Sequence, residues 1–245
     1  MVAVISGGTG YIGSEIARRL ATDGISVAII YNKTSSNDAK RIISKLAGKG
    51  HRVYKCDLNN PALVSNTIGK IEKEMGVLSI CVHAAGTMPK QKQLHLSNVE
   101  ELRKQFEENV YTGFNFLSAC STRLKEHKRG VVIGITTAGV VSQKNTNARG
   151  AYSPIKFALQ GMLVSFREEL SLYNVRVYSI APGVMPGGLN RNTPRAFLDI
   201  VKEKSPTKTL AEATDVAAGV SFLCSTNSQH ITNLTLLVAP ESGTS

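Results

Sequence analysis

One unit recurs along the chain: a short, nearly continuous apolar run, then an amphipathic stretch, then another apolar run. Val2-Ala3-Val4-Ile5 is followed by helical periodicity over Gly10 to Asp23, and Ile25 to Tyr31 by a polar helix over about Asn37 to Lys49. Arg52 to Cys56 leads into a helix over Pro61 to Met75, with Pro in its first turn. Leu78 to Val82 precedes a long helix over Val99 to Lys125, and Val131 to Ile135 precedes another over Tyr152 to Tyr173. Val175 to Ile180 and Leu234 to Val238 complete the set of strands. Runs such as Val27-Ala28-Ile29-Ile30 lack polar alternation, as strands buried on both faces do. Strict alternation of such strands with helices predicts an α/β fold, a doubly wound parallel sheet of about seven strands with helices on both faces. At 245 residues with 42% hydrophobic content, the chain is long enough for one such core, and a single domain over 1–245 is expected. The long irregular stretch from Ala181 to about Thr193 is rich in Gly and Pro, and loops of that length in a compact domain tend to be functional.

The first strand runs into Ser6-Gly7-Gly8-Thr9-Gly10-Tyr11-Ile12-Gly13 and then a helix. Glycines there permit a tight turn and close backbone approach, so that a pyrophosphate can rest on the helix N-terminus. Gly7, Thr9, Gly10, Tyr11, Ile12 and Gly13 are therefore candidate cofactor-binding residues, and the sheet is predicted to be of Rossmann type. An NAD site of this geometry usually carries an acid at the end of the second strand to hold the adenosine 2′-hydroxyl. Here the residues are Tyr31-Asn32-Lys33-Thr34. With no acid and with Lys33 positioned to meet a 2′-phosphate, Asn32, Lys33 and Thr34 favour NADP(H) over NAD(H); the alternative is a solvated turn. Asp57 and Leu58, after the third strand, are placed to meet the adenine.

Tyr152 and Lys156 stand four residues apart where a helix begins, so phenol and ammonium share one helical face. A nearby positive charge favours the phenolate, which suits the Tyr to proton exchange with an alcohol or carbonyl oxygen. The formal net charge of +11 admits nucleic acid, an acidic partner or a polyanionic cofactor, or else ordinary solvated helix faces. The absence of Trp and the low aromatic content argue against base stacking. Cys56, Cys81, Cys120 and Cys224 are scattered, as are the five His, so no metal site is expected. No apolar run approaches the roughly 20 residues that span a bilayer, and no basic segment precedes the first strand, so a cytoplasmic protein is expected.

On these motifs the chain resembles, over almost its full length, the compact branch of the short-chain dehydrogenase/reductase family. The resemblance makes Tyr152 and Lys156 the family's active-site pair, and Thr137, in Ile135-Thr136-Thr137, the equivalent of its active-site Ser. It makes Asn109 the fourth catalytic residue and places Pro182-Gly183, with Val184 beyond it, beside the nicotinamide. It also sets Ala84, Ala85 and Gly86, in His83-Ala84-Ala85-Gly86, where the family has Asn-Ala-Ala-Gly. His83 then replaces a structural hydrogen bond. Tyr11 takes the place of the middle glycine of the compact branch, and Gly7, Gly10 and Gly13 follow the spacing of the extended, epimerase-like branch. The resemblance implies NADPH-dependent reduction of a carbonyl, with Tyr152 giving the proton and a loop and helix at about 184–210 covering the substrate. Within the family, 3-oxoacyl-acyl-carrier-protein reductases are similar in length and segment order. That implies a substrate carried on an acidic carrier, docked near Lys125, Lys128 and Arg129, and a homodimer or homotetramer. A sugar or secondary-alcohol dehydrogenase is the alternative. Thr137, His83 and Tyr11 are the departures that would mark a non-catalytic NADP(H) sensor. Neither a nucleic-acid nor a membrane partner is expected.

Overall fold

A computed structural model describes residues 1–90, 92–143, 150–233 and 235–239. In chain order the elements are β1 (Val2–Ser6), α1 (Tyr11–Thr22), β2 (Ser26–Tyr31), α2 (Ser36–Ile43), β3 (Arg52–Lys55), α3 (Pro61–Met75), β4 (Leu78–His83), α4 (Val99–Phe106) and α5 (Thr112–His127). There follow β5 (Gly130–Ile135), α6 (Gly139–Ser142), α7 (Tyr152–Ser171), β6 (Val175–Pro182), α8 (Arg195–Lys204), α9 (Ala213–Cys224) and β7 (Thr235–Val238). The seven strands are parallel, in the order β3-β2-β1-β4-β5-β6-β7. The chain winds outward from β1 in one direction and from β4 in the other, which opens a crevice at the carboxyl ends of those two strands. Successive strand residues feed opposite layers. Val2 and Val4 pack with Ile68, Phe116 and Leu163 on the α3, α5 and α7 side, whereas Ala3 and Ile5 pack with Ile16, Leu20 and Val220 on the α1 and α9 side.

Three elements differ from the sequence reading. The long helix expected over Val99 to Lys125 is broken by a π turn at Glu107–Tyr111. α2 ends at Ile43, well before Lys49: the N–H groups of Lys45 and Leu46 turn back to Ile42 O and Ile43 O three residues before them, and Gly48 and Gly50 then adopt positive φ of 88° and 83° that a helix cannot continue through. α9 went unread. It is capped by a reciprocal Glu212–Asp215 box, and its middle is apolar on most sides because it packs between α1 and β6, so it lacks the polar stripe that marks a surface helix. The seventh strand begins at Thr235; Leu234 lies outside the described residues.

Candidate active site

The glycine turn after β1 is built on close backbone contact. Gly7 has φ of +67°, donates its N–H to Ile30 O at 3.1 Å, and lies so near β4 that a Cβ would fall 2.7 Å from the Ala85 backbone. Gly7 O accepts from Gly10 N at 2.9 Å, and a Cβ on Gly13 would fall 2.3 Å from that same carbonyl oxygen. α1 begins after Gly10 with no side-chain cap, so its first-turn N–H groups have no partner of that kind. Gly10, Tyr11, Ile12 and Gly13 line a cavity of about 210 Å³. Unsatisfied donors at a helix N-terminus, with no side chain over them, fit a pyrophosphate. Thr9 Oγ1 bonds Thr34 Oγ1 at 2.8 Å and ties the turn to the end of β2.

The Tyr11 ring leans away from the turn onto the loop after β6. A Cβ on Gly187 would fall 2.7 Å from the ring, and one on Gly188, where φ is +63°, 3.1 Å from Tyr11 Cβ. The bulk of Tyr11 is thus matched by a glycine pair 176 residues along the chain. The sequence shows both features but not that they touch.

The candidate catalytic side chains converge on the same cavity. Tyr152 and Lys156 occupy the first two turns of α7, both buried, with Lys156 Nζ 5.8 Å from the centre of the Tyr152 ring. Lys156 Nζ donates to Ile135 O at 3.0 Å, and burial pulls its ammonium down to about 8. Of the two threonines after β5, Thr136 turns inward to Ser179 Oγ at 2.8 Å and Ile180 O at 3.2 Å. Both line the cavity, and Thr137 is the one with no such inward anchor among the described residues. Asn109 sits in the π turn, which rotates it towards β4. Its Oδ1 accepts from Thr87 N at 2.8 Å, and its Nδ2 donates to Gln105 O at 3.0 Å, Gln105 Oε1 at 3.2 Å and Thr87 Oγ1 at 3.2 Å. Gly86 lies between Asn109 and Lys156: a Cβ there would stand 3.0 Å from Asn109 Oδ1 and 3.9 Å from Lys156 Nζ.

Ala84, Ala85, Gly86, Pro182 and Gly183 complete the cavity wall, together with Met88, Met185 and Gly187 to Arg191. Nothing in the sequence pattern singles out Met88. Val184 is outside the lining, between Gly183 and Met185. Asn32, Lys33, Asp57 and Leu58 also lie away from the cavity, just past the carboxyl ends of β2 and β3, on the same edge of the sheet. Leu58 is buried and its carbonyl accepts from Asn115, while the Asp57 carboxylate accepts from Asn59. Among the described residues no group of three His, Cys, Asp or Glu could hold a metal ion, and no helix is long and apolar enough to cross a membrane.

His83 is not part of the cavity wall. Its Nδ1 bonds Ser6 Oγ at 2.8 Å, which joins β4 to β1, and its buried Nε2 faces Gly113 without a hydrogen-bond partner among the described residues. Burial chiefly, and the Lys156 charge next, push it down to about 3, so the folded state keeps the ring neutral. The unfolded chain takes up that proton below its ordinary value near 6.5. Between 6.5 and 3 the unfolded state therefore binds more protons, and the stability His83 contributes is lost as pH falls. His83→Asn is expected to flatten the acid limb of stability: urea midpoints at about pH 4 and pH 7 should differ less than in the wild type. An unchanged difference would refute the assignment.

Comparison with known proteins places this geometry. The family model described as enoyl-(acyl carrier protein) reductase matches residues 9–239. A 3alpha-hydroxysteroid dehydrogenase of Mediterraneibacter gnavus is 27% identical over 244 residues, covering 97% of this chain and 94% of that protein. A 3-oxoacyl-[acyl-carrier-protein] reductase of Bos taurus is 26% identical over 237 residues, covering 97% and 95%. Among solved structures, an NAD+-bound xylitol dehydrogenase superposes with a TM-score of 0.88 at 20% identity, covering 98% of each chain, a likeness of fold.

Proposed function

The chain belongs to the short-chain dehydrogenase/reductase family, oxidoreductases that bind a nicotinamide cofactor, and from that premise we propose NADPH-dependent reduction of a carbonyl to an alcohol. One observation carries the reading: Tyr152, Lys156 and Thr137 face the same cavity as the phosphate turn, with Asn109 against its wall at Gly86. When bound, the cofactor supplies the hydride. Tyr152 then gives its phenolic proton to the oxygen as negative charge develops there. Thr137 donates a hydrogen bond to the same oxygen, an interaction commonly worth about 3 kcal/mol. Lys156, held by Ile135 O, keeps its charge beside the phenol and would hold the nicotinamide ribose of a bound cofactor. Asn109 presents Oδ1 on the far side of Gly86, where a water can pass protons between Lys156 and solvent. The chain acts as one unit, with the loop from Val184 and α8 covering the substrate.

NADP(H) is the proposed cofactor because Lys33 stands at the end of β2 where no acid is present. Lys33→Asp is expected to raise the Kd for NADPH about tenfold or more and to lower that for NADH. Fluorescence titration checks it, and equal shifts for both cofactors would remove Lys33 from the site.

The proposed substrate is a 3-oxoacyl thioester or similar ketone, a reading that the 3-oxoacyl-carrier relative supports and the hydroxysteroid relative widens. Loss of NADPH absorbance with a panel of 3-oxoacyl thioesters, cyclic ketones and keto sugars tests it; no turnover across the panel would leave a nucleotide sensor. Exposed Tyr111, in the π turn, and Phe114, in α5, together with exposed Phe157 and Val164 in α7, support association of copies through α5 and α7.

A further inference from the structure

A second cavity, of about 360 Å³, adjoins the first. Met88 lines both, and Ala151, the residue before Tyr152, lines the second. Met88 thus separates a ketone held at Tyr152 from a second chamber, whose lining carries three lysines and two glutamates beside apolar surface.

The chamber presents donors. Lys90, Lys92 and Lys104 face it along with two carboxylates, Glu101 and Glu108, and both carboxylates are already engaged. Glu101 accepts from Lys92 and from Asn98 N–H, and it also feels the charge of Lys90. Glu108 accepts the Thr87 hydroxyl at 2.7 Å. Lys104 forms no ion pair among the described residues. Gln105 is more than nine-tenths buried; its Oε1 accepts from Asn109 Nδ2, and its own amide N–H groups meet no acceptor among the described residues. Three ammonium groups, one of them paired with Glu101, stand against two engaged carboxylates, with the Gln105 amide beside them, an environment with more donors than acceptors. An anion supplies them.

We infer that this chamber is a subsite for an anionic group carried by the substrate some distance from its carbonyl, a phosphate or a carboxylate. The inference rests on the carbonyl reduction proposed above and narrows its substrate class. Gln105 links the subsite to the Asn109 side chain. Lys90 and Lys104 are exposed, so their contribution is screened by salt.

The test pairs substrates that differ only in charge. Acetoacetyl-4′-phosphopantetheine against acetoacetyl-pantetheine probes a phosphate, and 5-oxohexanoate against its methyl ester probes a carboxylate. At low salt the charged member of at least one pair should have a KM about tenfold lower, and which pair shows it identifies the anion. A Lys90→Glu, Lys104→Glu double variant should abolish that advantage while leaving kcat and KM for the neutral member within about twofold. Equal KM values within both pairs, or a variant that weakens charged and neutral members alike, would overturn the inference. Calorimetric binding of 4′-phosphopantetheine, pantetheine, 5-oxohexanoate and its ester in the presence of NADP+ reads the same preference without turnover. An enzyme that reduces neither pair yet binds a charged member preferentially would defeat carbonyl reduction and spare the subsite; reduction with no charge preference would do the reverse.

Discussion

Tyr152→Phe is expected to bind NADPH with the wild-type Kd and to lose turnover by about 10³-fold. The substitution removes one oxygen and keeps the ring, so Tyr152's packing with Val110, Ile155 and Met88 is preserved. The phosphate turn, Pro182 and Gly183 do not depend on the phenol, which is why nucleotide affinity should hold. What disappears is the group that delivers a proton as charge builds on the carbonyl oxygen. Thr137 and the Lys156 charge would remain and should leave residual turnover, as donors without a proton to transfer. Unchanged kcat with tight NADPH binding would mean that another group supplies the proton. His83 would not be that group, since it is held neutral and bonded to Ser6 outside the cavity wall.

How far the sequence reveals this site depends on the range over which each signal acts. The alternation of strands and helices, the turn after β1 and the Tyr152–Lys156 pair rest on local periodicity and short spacings, and are legible in the sequence. Resemblance picks Thr137 over Thr136; physically, the distinction turns on Thr136 finding Ser179 on the neighbouring strand. Three features were not legible because each needs two distant segments. Tyr11 reads as an intrusion into a glycine turn until Gly187 and Gly188 are seen under its ring. Asn109 is marked by resemblance, but the π turn that sets it against Thr87 leaves no trace in the helical pattern. The donor-rich chamber joins the segment after Gly86 to one face of α4, and neither alone carries a motif. α9 failed for the opposite reason, having too little polar surface to show a helical period.

Gly13→Ala should be severely damaging to the nucleotide site, and comparison with Gly10→Ala tests why. Ala is the better helix former by about 1 kcal/mol, so propensity alone predicts that a substitution inside α1 stabilises. Contact decides otherwise. At Gly13 the new methyl would stand 2.3 Å from Gly7 O and 2.9 Å from Gly8 Cα, both backbone atoms of the turn that Ala85 holds from its other side. Neither can rotate away, so α1 must shift relative to β1, at a cost of about 3 kcal/mol that outweighs the propensity gain. At Gly10 the methyl would meet only Gly7 O, at 3.2 Å, with φ an ordinary −80°, and stability should stay within about 1 kcal/mol of wild type. Chemical denaturation gives the order of the two stabilities, and NADPH titration should show Gly13→Ala losing at least about tenfold in affinity as its first-turn N–H groups move. If Gly13→Ala keeps the wild-type midpoint and NADPH affinity, the close approach of Gly13 to Gly7 is not what fixes the pyrophosphate seat. The spacing of Gly7 and Gly13 would then report only a permissive turn, and Tyr11 with its glycine pair would have to fix the seat instead.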